Sequence, residues 1–184
     1  MGVDFSSDEK KELLNIARNS IQSYFKHHKI EYPETSNPKF LEKMGVFVTL
    51  HVDNALRGCI GYPLPEKPLI EAIVDNSISS STQDPRFEPV SLPEMELIDI
   101  EISILTVPRE VKKVDDIELG RDGIIVSKGL NRGLLLPQVP VEQNWTLDQY
   151  ISYGCLKAGL PDDEWKRGVK IETFQAIVFG EKET

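Results

Sequence analysis

Apolar residues recur every three or four positions along the first thirty residues: Leu13, Leu14, Ala17, Ile21, Tyr24 and Phe25. That is the period of an amphipathic helix. Ser6 followed three positions later by Glu9 forms a capping-box pair, so the spacing predicts a helix over roughly residues 7–28. It ends at His27-His28-Lys29, where cationic or polar residues suit the negative end of the helix dipole. The segment YPETSNPKF (32–40) reads as a proline-bearing loop.

The period then changes to two. Val46, Val48, Leu50 and Val52 alternate with Phe47, Thr49, His51 and Asp53, as a half-buried strand requires. Asp53-Asn54 suits a two-residue hairpin turn, since both residues tolerate left-handed backbone angles. Residues 56–62 return as the partner strand, which Pro63 and Pro65 end. A second helix is expected over 67–80, from Leu69, Ile70, Ile73, Val74 and Ile78. A polar, turn-rich stretch follows, to residue 96. The run LIDIEISILT (97–106) alternates without a break, and predicts Ile98, Ile100, Ile102 and Ile104 buried on one face with Asp99 and Glu101 more exposed.

Further elements are shorter. Residues 123–126 and 134–136 read as strands. Thr146 and Gln149 make another capping box for a helix over 146–158, stopped by Gly159 and Pro161. IETFQAIVF (171–179) reads as one closing strand. Helices and strands mix without βαβ alternation, so the predicted class is α+β, with helices packed on a largely antiparallel or mixed sheet.

The 184 residues suffice for one sizeable core. Thirty acidic against twenty-one basic residues give a net charge of −9, which disfavours nucleic acid as a partner. No apolar run approaches the ~18 residues of a membrane span, and the first residues lack the pattern of a secretory signal. Met1-Gly2 with Ser6 fits a loose myristoylation pattern, but the acidic helix behind it offers no second anchor. Two cysteines almost a hundred residues apart form no disulfide framework, and a reducing cytoplasmic setting is expected. Three histidines and two distant cysteines show no metal-ligand spacing, so no metal site is expected.

Chemistry concentrates in LRGCIGY (56–62). A thiolate is the nucleophilic form of cysteine, and a guanidinium nearby stabilises it. In an extended strand Arg57 and Cys59 share a face. Gly58 and Gly61 let a ligand or another backbone approach closely. Equally, Cys59 can be a small buried hydrophobe and the glycines a relief of crowding. A histidine base at His51 is disfavoured, because a two-residue turn pairs it with Leu56 and sets it on the face opposite Cys59. In Gln83-Asp84-Pro85-Arg86-Phe87, Asp84 can cap a turn and Arg86 can hold a carboxylate or phosphate in a bidentate fork; equally, Asp84 and Arg86 can form an Asp–Arg turn with Phe87 plugged into the core.

Read together, LRGCIGY, DPRFEPV (84–90), IEISILT (100–106), GRDGIIV (120–126), GLLLPQV (133–139) and CLKAGLP (155–161) resemble the AMMECR family, from about residue 8 to the closing strand. The last segment resembles its prokaryotic branch. The resemblance implies a single AMMECR-like domain over 1–184, built as a larger and a smaller lobe with a groove between them and no settled activity. Carried over by position, the catalytic candidates are Cys59 and Arg57. The ligand-binding candidates are Gly58, Gly61, Asp84, Arg86, Phe87, Pro137 and Gln138. The resemblance also implies association with a Memo-like protein and a radical S-adenosylmethionine protein. Two functions stay open: a cytosolic enzyme or enzyme component using the Cys59 thiol, and a binding module for a Memo-like protein or a small anion in which Cys59 is structural.

Overall fold

The structure, a computed structural model, describes residues 4–182; Met1 and Gly2 of the myristoylation pattern lie outside them. In chain order the elements are α1 (Ser7–His27), α2 (Pro38–Leu41), β1 (Gly45–Val52), β2 (Ala55–Tyr62), α3 (Leu69–Thr82), β3 (Ile98–Leu105), β4 (Arg109–Glu110), β5 (Gly123–Lys128), β6 (Asn131–Leu135), α4 (Val139–Glu142), α5 (Leu147–Lys157), β7 (Lys170–Phe174) and β8 (Ala176–Gly180), with short 3-10 turns between some of them. The class is α+β, as the mixed periodicities predict. The chain divides into two compact units, Met1–Leu105 with Ile177–Thr184, and Thr106–Ala176.

In the first unit the sheet order is β2-β1-β3-β8. β1 pairs antiparallel with both β2 and β3. The Ser6–Glu9 capping box starts α1, and His28, at φ 53°, closes it in the left-handed conformation. Leu13, Ala17 and Ile21 of α1 pack with Val46, Val48 and Leu50 of β1 and Ile100, Ile102 and Ile104 of β3 in one buried core. Asp99 and Glu101 stay partly exposed, as the alternation predicts. Each buried isoleucine contributes about 1.5–3 kcal/mol of hydrophobic stabilisation.

α3 is unusual in that polar residues are buried along it, among them Asn76, Ser77, Ser80 and Ser81. The serines satisfy themselves locally, the Ser77, Ser80 and Ser81 hydroxyls donating to the carbonyls of Ile73, Ser77 and Ile78, whereas Asn76 Nδ2 donates across to the Val46 carbonyl of β1 at 3.1 Å. Small side chains let the helix backbone come close to the sheet. The N-terminal loop differs from expectation at its end: Asn37 caps the short α2 and Pro38 occupies its first turn, where a missing N–H costs nothing.

In the second unit the order is β4-β7-β5-β6. α5 has the predicted Thr146–Gln149 capping box and buries Tyr150, Ile151 and Cys155. The Tyr150 hydroxyl lies 3.1–3.2 Å from the carbonyl oxygens of Asp122, Leu135 and Leu136, and burial pushes its pKa up. One expectation needs correcting. Residues 171–179 form two strands, because the chain leaves the second sheet at Phe174 and enters the first at Ala176. Periodicity cannot register that change, since both halves are extended and carry apolar residues at strand spacing. No helix among the described residues is long and apolar enough to cross a membrane.

Candidate functional site

The site is built where β2 forms the edge of the first sheet. Asp53 and Asn54, at φ 51° and 64°, make the expected two-residue turn, and His51 pairs with Leu56. The register then slips: Leu50 pairs with Gly58 and Thr49 with Cys59, so Arg57 is the extra residue of a β-bulge. This overturns the expected placement of His51. The Thr49 hydroxyl lies 3.3 Å from Cys59 Sγ, so the two side chains share a face, and His51, two residues along β1, shares it too. No hydrogen bond joins His51 to Cys59; His51 stands opposite Asp99 on β3.

Cys59 and Thr49 occupy a position where the cysteine N–H points away from β1. On an exposed edge that donor would template another strand. Here it donates to Asp84 Oδ2 at 2.8 Å. Asp84, on the loop after α3, is buried and saturated. Its Oδ1 accepts from the Arg86 backbone N–H at 3.1 Å and from Arg86 Nε at 2.9 Å, and its Oδ2 also accepts from Arg86 Nη2 at 2.7 Å. The Arg86 hydrogen bonds, seconded by the Cys59 and Arg86 backbone donors, hold the Asp84 carboxyl well below the usual carboxylate range against the opposing effect of burial. Arg86 is raised in turn, first by its bonds to Asp84.

The second guanidinium is engaged elsewhere. Arg57 Nε and Nη2 donate to the Glu94 carboxylate at 2.5 and 3.1 Å, which lowers the Glu94 pKa. No hydrogen bond runs from Arg57 to Cys59. The Phe87 ring lies near both arginines, its centroid 5.8 Å from the Arg57 guanidinium carbon and 5.5 Å from that of Arg86. Both separations are within cation–π range.

The glycines are filled from within the chain. A Cβ on Gly58 would lie 2.2 Å from the Ser80 carbonyl oxygen, so the end of α3 sits directly on the strand there. On Gly61 it would lie 2.3 Å from the Phe47 ring, which covers that glycine across the pair. The cluster therefore brings together Arg57, Gly58, Cys59, Gly61, Asp84, Arg86 and Phe87. Pro137 and Gln138 belong to the second unit, the first buried and the second exposed ahead of α4. Cys59 is half-buried, whereas Cys155 is fully enclosed and burial pushes its thiol pKa up.

Thr49, Ser80, Phe47 and Glu94 escaped the reading of the sequence. Thr49 and Phe47 follow from the strand register once the bulge is known. Ser80 and Glu94 sit in a polar stretch whose partners are distant in the chain, and carry no local signal.

The family model described as AMMECR1 matches residues 14–179. Protein MJ0810 of Methanocaldococcus jannaschii is 50% identical over 182 residues, covering 92% of this chain and 89% of that protein. Protein MK0488 of Methanopyrus kandleri is 46% identical over 193 residues, covering 100% and 93%. A crystal structure of the uncharacterized protein PH0010 from Pyrococcus horikoshii superposes with a TM-score of 0.79 at 44% identity, covering 94% of this chain and 91% of that one. With the match spanning nearly the whole chain in both sequence and fold, this protein belongs to the AMMECR1 family.

Proposed function

We propose that the protein is a cytosolic enzyme or enzyme component whose site is built around LRGCIGY, with Cys59 as thiol nucleophile or thiol ligand toward a small anionic molecule. One observation carries this reading. The half-buried Cys59 is grouped with a hydroxyl and an arginine cluster, while the other cysteine is sealed in an apolar core. Packing alone does not call for two guanidinium groups within cation–π range of one aromatic ring beside a thiol. Arg57 or Arg86 orients the anion, and Asp84 holds the edge strand in place. Association with a Memo-like protein and a radical S-adenosylmethionine protein belongs to the same proposal, on family resemblance.

A second reading makes this surface a binding module with Cys59 structural. It is favoured by the glycines, whose free space is taken by Ser80 and Phe47. Small-molecule capture from a cell extract, with wild type and Cys59→Ser in parallel, separates the two. Loss of a captured compound in the variant supports the thiol reading. Equal capture by both proteins supports the binding module.

A further inference from the structure

The two arginines of the cluster differ in what they present to solvent. In the Arg57–Glu94 pair the arginine side chain is 17% exposed and the glutamate side chain 27%, so the arginine is the more covered of the two. In the Arg86–Asp84 pair the arginine is 53% exposed and the carboxylate 2%. Asp84 is turned inward with both oxygens saturated, and the charge left outside is the guanidinium. Arg86 uses Nε and Nη2 on Asp84, leaving Nη1 without a protein partner among the described residues. The Cys59 backbone N–H and Arg86 Nη2 also share one acceptor, Asp84 Oδ2, at 2.8 and 2.7 Å, which sets the guanidinium next to the cysteine.

We infer that Arg86, and not Arg57, is the cation that receives an anionic ligand beside Cys59, and that the ligand is a small molecule carrying an oxyanion, a carboxylate or a phosphate. This rests on the thiol reading proposed above. Asp84 and the Arg57–Phe87 contact are then positioning groups. Asp84 fixes the plane of the Arg86 fork, and Phe87, within cation–π range of both guanidiniums, packs beside it. A planar guanidinium with a free donor edge suits carboxylate or phosphate oxygens better than an ammonium would.

The test compares the rates at which iodoacetate and iodoacetamide modify Cys59 in wild type, Arg86→Gln, Arg86→Lys and Arg57→Gln, with modified peptides identified by mass spectrometry. In both reactions a carbon–sulfur bond forms as the carbon–iodine bond breaks. Iodide leaves with the electron pair, and the thiol proton goes to solvent. Both reagents draw on the same thiolate population, so the ratio of rates reports only the charge felt by the iodoacetate carboxylate. Arg86→Gln should lower the iodoacetate-to-iodoacetamide ratio about three-fold, the effect of a unit charge roughly 6 Å away in a water-like dielectric. Arg86→Lys should restore most of it, and Arg57→Gln, which removes a guanidinium already tied to Glu94, should lower it clearly less than Arg86→Gln does.

A ratio insensitive to Arg86→Gln, or one that falls as far or further in Arg57→Gln, overturns the assignment. If Arg86→Gln does not fold, the wild-type ratio must fall by a similar factor as salt rises to about 1 M, where the Debye length is near 3 Å; a salt-independent ratio overturns it. Acetate and inorganic phosphate, compared as protectants against iodoacetamide, distinguish the two ligand classes, and protection by neither counts against both. If Cys59 resists both reagents in wild type, the thiol reading itself fails, a result distinct from any change in the ratio.

Discussion

Replacing Gly58 by alanine adds one methyl group where the end of α3 lies on β2. The new Cβ would stand 2.2 Å from the Ser80 carbonyl oxygen and 3.2 Å from its carbonyl carbon. Relaxed C···O contacts begin near 3.3 Å, so strand and helix must part by about 1 Å. The obstacle is helix backbone, which cannot rotate away as a side chain would. Overpacking of this kind costs about 1–3 kcal/mol. Against it, alanine relieves the entropic cost of glycine in a strand by about 0.5–1 kcal/mol. The net loss is up to about 2.5 kcal/mol, and relative to a glycine-to-alanine change without the clash it is the full ~1–3 kcal/mol. At about 2–4 °C per kcal/mol for a chain of this size, the melting temperature should fall about 2–12 °C below that of such a control. Gly180→Ala is the control, because its Cβ would meet nothing closer than 3.5 Å. Thermal and urea unfolding of the two variants measure the difference. If Gly58→Ala is as stable as Gly180→Ala or more so, the close seat of α3 on β2 is wrong.

Further outcomes follow from the core and from the carboxylates. Ile102→Ala should cost about 2–5 kcal/mol in urea unfolding, since Ile102 is fully enclosed; a loss under about 1 kcal/mol would mean that the inward face of β3 is misassigned. Asp84→Asn should cost about 1.5–3 kcal/mol at pH 7, the worth of hydrogen bonds to a charged group. Because the folded Asp84 carboxyl is depressed, its stabilisation is fully present above about pH 4 and is lost as pH falls toward its folded value. Acid unfolding of wild type should therefore be steeper than that of Asp84→Asn, and parallel curves would contradict the pairing. Glu9, lowered to about 2 by Lys39, Asn37 and the Ser6 N–H, behaves alike: the share of stability it carries should disappear between about pH 4.5 and pH 2 in wild type but not in Glu9→Gln.

Strong periodicity made the fold class legible. Leu13 to Phe25 and Ile98 to Ile104 each bury one face of a regular element, and a period survives as long as one face is buried. The closing segment was misread because Gln175, a single residue, separates two strands that belong to different sheets. For the site, residue types and local order were readable: Cys59 near Arg57, and Asp84 near Arg86. That Arg57 meets Glu94, and that the Cys59 N–H meets Asp84, was not. Arg57 and Glu94 are 37 positions apart, and Cys59 and Asp84 are 25 apart, so the loop after α3 decides both pairings. The bulge at Arg57 also leaves no mark in the composition, yet it returns His51 to the Cys59 face.

The central claim, that Cys59 is a thiol offered to ligands and not a packing residue, is tested most directly by alkylating the native protein and following both cysteines by peptide mass spectrometry. Cys155 is fully buried against Ile151 and the second-unit sheet, and burial raises its thiol pKa, so both access and charge state slow it. Cys59 is half-buried at a sheet edge. The account predicts that iodoacetamide modifies Cys59 at least about ten-fold faster than Cys155 in the folded protein, and that the two rates converge in denaturant, where burial is gone. Equally slow labelling of both cysteines in the native state would contradict it, and would leave LRGCIGY as a tightly packed hairpin edge.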